Sequence, residues 1–218
     1  FTNNTAQIGG VVYCPRWNGG SINSTFHFNR FVGNTASAGS AIYRDYGSVN
    51  ATLNWWGSNA DPSGQIVGQV DYSPWLFMTI NATPETINNT QTSLITVSFN
   101  NYSLDGSSSS PLDPNLGHIP DGAPVTFSLI GNILGSLAEP FTAETINGTA
   151  AIFFTAGSAG IQQINASTDN QNVSAYVTII PASFVEVSKD FRDLPWGSVI
   201  TTAYYNDQIY AIVKLHNS

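Results

Sequence analysis

The chain has 218 residues, of which only 9% are charged, and it carries a net charge of −8. Its length predicts one or two domains, and its hydrophobic fraction of 42% is enough to bury a core. The scarcity of Lys and Arg argues against binding to nucleic acid or to an anionic membrane surface, and no apolar run is long enough to cross a bilayer. Asn, Ser, Thr and Gly fill the polar positions instead, as is typical of extracellular β-proteins.

The first predicted element is a repeat. Six residues recur at an offset of thirty positions: Phe1, Asn4, Thr5, Ala6, Gly9 and Tyr13 return as Phe31, Asn34, Thr35, Ala36, Gly39 and Tyr43. A second echo relates residues 22–26 to residues 49–53 at an offset of 27 positions. A fixed period of short apolar strands between Gly, Asn and Ser turns predicts coils of a parallel β-helix over residues 1–76. In such coils we expect Phe1 to stack over Phe31 and Asn4 over Asn34.

A tryptophan-rich segment closes the repeat. Trp55 and Trp56 stand next to each other, and Trp75 follows before the sequence pattern changes. The last coil of a stack has an open apolar end, which large aromatic rings can cover. We therefore expect Trp55, Trp56 and Trp75 to cap the stack, and an aromatic platform for carbohydrate is the alternative.

Residues 83–181 follow a different pattern, and residues 77–83 are expected to be a linker strand between the two regions. Short alternating or apolar segments bounded by turn residues predict strands at positions 93–99, 124–129, 150–155, 162–166 and 175–180. About seven short strands in about 100 residues predict an immunoglobulin-like β-sandwich. The expected fold class is therefore all-β.

Residues 182–218 form a third piece. Strands are predicted at positions 185–188, 199–205 and 209–215, the last two joined by a tight turn. A hairpin of this size is marginally stable by itself. We expect a C-terminal strand tail or an incomplete second Ig-like domain.

Three segments carry a resemblance to a known family. The Phe-x-x-Asn-Thr-Ala-x-x-Gly coils, closed by Asn-Trp-Trp-Gly at 54–57 and Pro-Trp-Leu at 74–76, resemble the right-handed β-helix arrays of adhesin-like surface proteins of methanogenic archaea. Pro-Asp-Gly-Ala-Pro-Val-Thr-Phe-Ser at 120–128 and Val-Ser-Ala-Tyr-Val-Thr at 173–178 resemble a bacterial Ig-like domain of the invasin/intimin type, and residues 185–217 resemble the start of another. The resemblance implies an exported, cell-wall-associated protein used for adhesion or as an extracellular structural element. It transfers no ligand and no catalytic residue.

The sequence is dense in acceptor sites for N-linked glycans. Nine Asn-x-Ser/Thr sequons begin at Asn3, Asn23, Asn50, Asn81, Asn88, Asn101, Asn147, Asn165 and Asn172. This density favours a secreted, glycosylated protein of the cell surface or cell wall. Chance occurrence in an Asn- and Thr-rich chain, with no glycan attached, is the alternative.

No set of residues predicts a catalytic or metal site. Arg16, Arg30 and Arg44 are each fourteen positions apart, which is half a coil, so Arg30 is expected on the side opposite the other two. The histidines lack the spacing of metal ligands. We therefore expect no enzyme and no cofactor. A β-helix polysaccharide lyase or hydrolase is the enzymatic alternative, and Ca²⁺ in the exposed, serine-rich loop of residues 105–113 is the cofactor alternative.

The chain begins within a repeat and ends in a hairpin. An uncapped coil has free backbone donors and acceptors, which readily pair with another chain. The sequence therefore favours either neighbouring domains of a longer chain or a filament subunit that associates head to tail by strand addition. A cell-wall-binding module with a wall or glycan ligand is a further alternative. The candidate assembly residues lie along the tail: Val199, Tyr205, Ile209, Ile212 and Leu215.

Overall fold

The computed structural model describes residues 1–16, 22–181, 200–205 and 208–213. The chain divides into two compact units, residues 1–180 and residues 181–218. Within the described residues, regular secondary structure consists of β-strands and two short 3-10 helices, Pro62–Gln65 and Pro114–Leu116. The chain is therefore all-β, as the sequence predicts.

The N-terminal region is a stack of parallel coils. Its strands are β1 (Val12–Cys14), β2 (Asn23–Thr25), β3 (Ile42–Arg44), β4 (Ser48–Asn50) and β5 (Ile66–Val67). β1, β3 and β5 form one parallel sheet, and β2 and β4 form another. Val12 pairs with Ile42 and Thr5 with Thr35, so the first two coils are in register at the thirty-residue offset of the repeat.

Identical side chains stack between neighbouring coils, as expected. The ring of Phe31 is fully buried and lies between two other rings, 5.2 Å from Phe1 and 4.7 Å from Trp56, stacked in both cases. The side-chain amide of Asn4 donates to Asn34 Oδ1 at 2.9 Å. An aromatic stack inside and an amide ladder outside therefore connect successive coils.

The register of the second echo differs from the prediction. β2 and β4 are offset by 25 residues, so the expected offset of 27 is wrong. A two-residue slip leaves the same side chains on the same face, and the hydrophobic pattern therefore cannot detect it. Two local features fix the observed register. Gly47 has a φ of +84° and sits where a Cβ atom would overlap the carbonyl of Ile22, and Asn54 Oδ1 accepts from the backbone N–H of Asn29 at 2.8 Å.

The coils become shorter along the stack. The offset is 30 residues between β1 and β3, 25 between β2 and β4, and 24 between β3 and β5. Asn50 then pairs with Asp71 at an offset of only 21. The perimeter therefore shrinks towards the tryptophan-rich segment, mainly because the links between strands shorten.

The remainder of the first unit contains a two-sheet sandwich. Its strands are β7 (Thr79–Thr83), β8 (Thr86–Asn88), β9 (Thr92–Ser98), β12 (Pro124–Ile130), β13 (Gly135–Leu137), β14 (Thr142–Glu144), β15 (Thr149–Ala156), β16 (Gly160–Thr168) and β17 (Gln171–Ile180). One sheet has the order β14-β12-β16-β17-β8 and the other the order β13-β15-β9-β7. All neighbours are antiparallel except β8 and β17. Three short strands, β6 (Trp75–Leu76), β10 (Asn101–Ser103) and β11 (Ser110–Pro111), form a small sheet beside it.

The sandwich buries one face of each sheet in a shared core. Ile95 and Phe154 from one sheet and Phe127 and Val177 from the other are at most 2% exposed and belong to one hydrophobic cluster. β7 lies in the segment expected to be a linker, but it pairs along its length with β9 and so belongs to the sandwich. The division into domains at residues 1–76 and 83–181 stays a prediction.

The second unit is described only by its hairpin. β18 (Ile200–Tyr205) pairs with β19 (Gln208–Val213) in antiparallel register, as predicted for the tail. The predicted strand at residues 185–188 lies outside the described residues, and so do Val199 and Leu215. Tyr205, Ile209 and Ile212 lie within the two strands.

Candidate functional site: the joint between the coil stack and the sandwich

The three tryptophans expected to cap the stack belong to two different cores. Trp56 and Trp75 are buried in the cluster of the coil stack, and the indole of Trp56 stacks on Phe31. Trp55 is buried in the core of the sandwich instead, where its ring meets Phe99 edge-on at 5.0 Å. The segment therefore contributes rings to both regions at once. The capping role assigned to the three rings stays a prediction.

A charged cluster lies beside Trp55. The guanidinium of Arg30 binds the carboxylate of Asp169 with two hydrogen bonds, one of them from Nε to Oδ2 at 3.0 Å. The indole Nε1 of Trp55 donates to the same Oδ2 at 2.7 Å. The Asp169 side chain is 3% exposed, and the Arg30 side chain is 22% exposed. A buried carboxylate is tolerated here because a cation and a third donor satisfy it.

The two residues that follow Asp169 also form hydrogen bonds to the segment that closes the coil stack. The turn around Asp169 joins β16 to β17, and Asp169 has a φ of +52°, which Asp accepts more readily than most residues. Asn170 donates its backbone N–H to the carbonyl of Gly57 at 3.0 Å. Gln171 Oε1 accepts from the backbone N–H of Asn59 at 2.8 Å. Three consecutive residues of the sandwich therefore bond to the coil stack and the segment that closes it.

Asn59 completes the joint by fixing the chain as it leaves the stack. It is nearly buried, its Nδ2 donates to the carbonyl of Met78 at 2.9 Å, and its Oδ1 accepts from the Met78 N–H at 2.7 Å. Trp75 Nε1 donates to the Asn59 carbonyl at 3.2 Å. The Asn59 side chain both donates and accepts, and its backbone carbonyl accepts as well. These bonds fix the conformation of the chain where it leaves the coils.

Sequence reasoning did not find this joint. Arg30 and Asp169 are 139 positions apart, and the spacing of the arginines predicts only that Arg30 lies on the side opposite Arg16 and Arg44. An Asp residue is common in a tight turn, so the presence of Asp169 between two predicted strands does not indicate a partner for a distant cation. Arg44 donates Nε to the Gly47 carbonyl at 2.7 Å, and Arg16 lies over the ring of Tyr46. Each arginine thus has its own contacts.

The serine-rich loop is ordered by its own carboxylates. Asp105 accepts hydrogen bonds from the backbone N–H groups of Ser108 at 3.0 Å and Ser107 at 2.9 Å, and these bonds hold the pKa of Asp105 well below its usual range. Asp113 caps the following 3-10 helix by accepting from Asn115 N at 2.9 Å. Among the described residues, no three His, Cys, Asp or Glu side chains are grouped as metal ligands would be. Ca²⁺ binding in this loop stays a prediction.

The candidate glycosylation sites differ in accessibility. The exposed ones are Asn3, Asn23, Asn81, Asn147 and Asn172, and the partly buried ones are Asn50, Asn88, Asn101 and Asn165. Asn101 lies in β10 and donates Nδ2 to Thr79 Oγ1 at 2.9 Å, so a glycan there would displace a bond between strands. The structure therefore ranks the sequons without testing whether any of them is modified.

Helices long and apolar enough to cross a bilayer are absent from the part of the chain that the structure describes. No protein-family model matches the chain, and no curated protein matches it.

Several solved structures are similar to parts of the chain. The Yersinia pseudotuberculosis adhesin InvE shares 23% identity over 49% of this chain and 27% of its own, with a TM-score of 0.33. The Escherichia coli adhesin FdeC shares 13% identity over 50% of this chain and 32% of its own, with a TM-score of 0.34. Domains 4 and 5 of the S-layer protein SbsC share 13% identity over 51% of this chain and 55% of theirs, with a TM-score of 0.28. The similarity thus covers less than two thirds of each of these chains.

Proposed function

We propose that this chain is an extracellular structural protein of the cell surface, adhesin-like in organisation, in which a coil stack is rigidly fixed to a β-sandwich. The joint carries the proposal. Its ion pair between Arg30 and Asp169 is largely removed from water, and the indole N–H of Trp55 donates to the same carboxylate. An ion pair with this geometry and burial holds one relative orientation of the two regions, as a surface fibre or adhesin stalk requires.

The surface chemistry supports an extracellular setting. Only 9% of the residues are charged, and the exposed polar groups of the coils are uncharged ladders such as Asn4–Asn34 and Thr5–Thr35. Five of the nine sequons are exposed, and we propose that glycans are attached there rather than at Asn101. The origin in a methanogenic archaeon rests on the sequence resemblance alone.

Immunogold labelling tests the location directly. Antibodies against the full chain are applied to intact and to permeabilised cells of the source organism, with an antibody to a cytoplasmic protein as the control. We expect label on intact cells at the envelope. Label that appears only after permeabilisation would refute the proposed location.

We further propose that the chain associates with copies of itself, the tail of one copy adding strands to the next. The hairpin of β18 and β19 supports this, since a two-stranded sheet is marginal alone and, within the described residues, neither of its outer edges has a partner strand. Electron microscopy of the full chain and of a deletion of residues 182–218 provides the test. Fibres that persist in the deletion variant would rule out the strand donor, whereas their loss would support it.

Two other interpretations have their own tests. A wall-binding module would be retained by purified cell wall at concentrations where the chain is monomeric. A β-helix lyase or hydrolase would release unsaturated or reducing ends from acidic polysaccharides. We propose that the chain has no such activity, and release of either product above that from heat-treated protein would contradict the proposal.

A further inference from the structure

One face of the coil stack carries exposed aromatic rings that the joint does not use. Tyr13 in β1 and Tyr43 in β3 occupy equivalent positions of successive coils, and both point away from the core that holds Ile42. Tyr46 follows in the turn after β3. Its backbone N–H donates to the carbonyl of Cys14, which places it beside the end of β1. We call Tyr13, Tyr43, Tyr46 and Arg16 the tyrosine face.

The rings of the tyrosine face form a notch rather than a flat surface. Tyr13 and Tyr43 lie 5.6 Å apart, with their planes at 70°. One ring thus presents its face while the other stands at its side. Tyr13 is 49% exposed and Tyr46 is 38% exposed, so both of these rings keep apolar area in contact with water. Tyrosine rings suit a ligand that is apolar on one surface and hydroxylated at its edges.

Arg16 supplies a charged donor beside this notch. Its guanidinium carbon lies 5.9 Å from the centre of the Tyr46 ring, which orients the planar group by a cation–π contact. Within the described residues, Arg16 has no ion pair and no hydrogen bond from its guanidinium, whereas Arg30 and Arg44 are both engaged. A guanidinium has five N–H donors in a fork that matches a carboxylate.

We infer that the tyrosine face binds an acidic polysaccharide built of uronate pyranose units. The apolar C–H face of a pyranose ring packs on a tyrosine in the notch, its hydroxyl groups bond to the phenol oxygens and to water, and its carboxylate binds Arg16 through two N–H groups. The inference extends the proposed surface function by naming a ligand class. A uronate fits better than a neutral sugar because its carboxylate can accept two hydrogen bonds from the oriented guanidinium.

Affinity electrophoresis of the full chain tests the inference, with polygalacturonate or uncharged dextran cast into a native gel. We expect retardation in polygalacturonate only, weakening as salt is added, because the contact with Arg16 is exposed and screened. Tyr13→Ala and Arg16→Gln should each raise the apparent dissociation constant by about tenfold. Both residues are exposed, so both variants should fold, which circular dichroism verifies.

The matched control is Tyr176→Ala, which removes a tyrosine of comparable exposure from the outer face of the sandwich. It should leave retardation unchanged. Equal retardation in dextran, equal binding of a poly-glutamate peptide, or an equal effect of the control variant would overturn the inference. Failure of sugar binding would leave the surface location intact, since immunogold labelling measures that independently.

Discussion

The coil stack and the sandwich are both built of short strands, but different features of the sequence specify them. In the stack, like residues lie on like residues in parallel register, and Phe31 and Asn34 find partners thirty positions away. In the sandwich, inward and outward residues alternate along antiparallel strands, as in β15, where every second residue is buried. The thirty-residue repeat therefore specifies the coil stack, and the alternation of buried and exposed residues specifies the sandwich. The joint connects the two through side chains that follow neither rule, and packing of Phe28, Val32 and Leu53 against the sandwich core adds to it.

The largest expected effect comes from removing the central ring of the coil stack. Phe31→Ala deletes a fully buried phenyl between Phe1 and Trp56 and should destabilise the first unit by about 3–5 kcal/mol. Because each coil contacts only its neighbours, the loss should concentrate in the stack. Urea unfolding followed by tryptophan fluorescence measures it, and hydrogen exchange locates it.

The control for this change is Phe153→Ala, which removes a phenyl that is 54% exposed on the sandwich. We expect an effect below about 1 kcal/mol. Equal destabilisation by the two substitutions would contradict the assignment of Phe31 to the interior of the stack.

The next effect tests the joint itself. Asp169→Asn keeps the shape of the side chain but leaves Arg30 without its counter-charge. Removing one member of a buried pair costs about 3–5 kcal/mol, and the 22% exposure of Arg30 lowers our expectation to about 2–3 kcal/mol. We expect the unaltered chain to unfold in one transition and the variant in two, because the coupling between the stack and the sandwich weakens.

Differential scanning calorimetry distinguishes one transition from two. Asp45→Asn serves as the control, since Asp45 is exposed and its carboxylate accepts no hydrogen bond within the described residues. A single transition in Asp169→Asn, shifted no more than in the control, would show that the ion pair does not couple the two regions.

A smaller effect on stability should distinguish the more buried pair of amides, Asn29 and Asn54, from the exposed pair, Asn4 and Asn34. Asn54 is fully buried, and its side chain accepts from Asn29 N and donates to the carbonyls of Phe26 and Ala51. Asn54→Ala leaves these groups unsatisfied and should cost about 1–3 kcal/mol. Asn34→Ala removes an exposed ladder and should cost less than about 1 kcal/mol. Chemical denaturation of both variants measures the difference, and a reversed order would contradict the proposed role of Asn54 in setting the register.

The smallest effect concerns the acidic limb of the pH–stability curve. The folded-state pKa of Asp105 is depressed by the N–H groups of Ser108 and Ser107, so its contribution is present above about pH 4, its unfolded pKa. That contribution is lost as the pH falls below this value. Asp105→Asn should therefore lower stability slightly at pH 7 and have a smaller effect near pH 2, where part of the contribution has already been lost. Asp45→Asn, measured at both pH values, is again the control. A loss that does not depend on pH would show that the carboxylate charge is not what orders the loop.

Much of the strand content could be predicted because it depends on local pattern. The repeat gave the register of Thr5 on Thr35, and alternation located β9, β12 and β15 to within one or two residues. The joint could not be predicted in the same way. Arg30 meets Asp169 only because a turn of the sandwich reaches the end of the stack, and the register at Gly47 depends on the space beside one carbonyl. Contacts of this kind require the three-dimensional arrangement first.

The nearest-neighbour bonding of the coils has an evolutionary consequence. Asn4 and Thr5 bond to Asn34 and Thr35 in the next coil, and within the described residues neither bonds to the joint at Asp169. A duplicated or deleted coil would therefore change the reach of the stack by one strand spacing, about 4.8 Å, while Arg30, Trp55 and the sandwich remain as they are. The length of the coil stack can therefore change during evolution by whole coils, without altering the joint that fixes the stack to the sandwich.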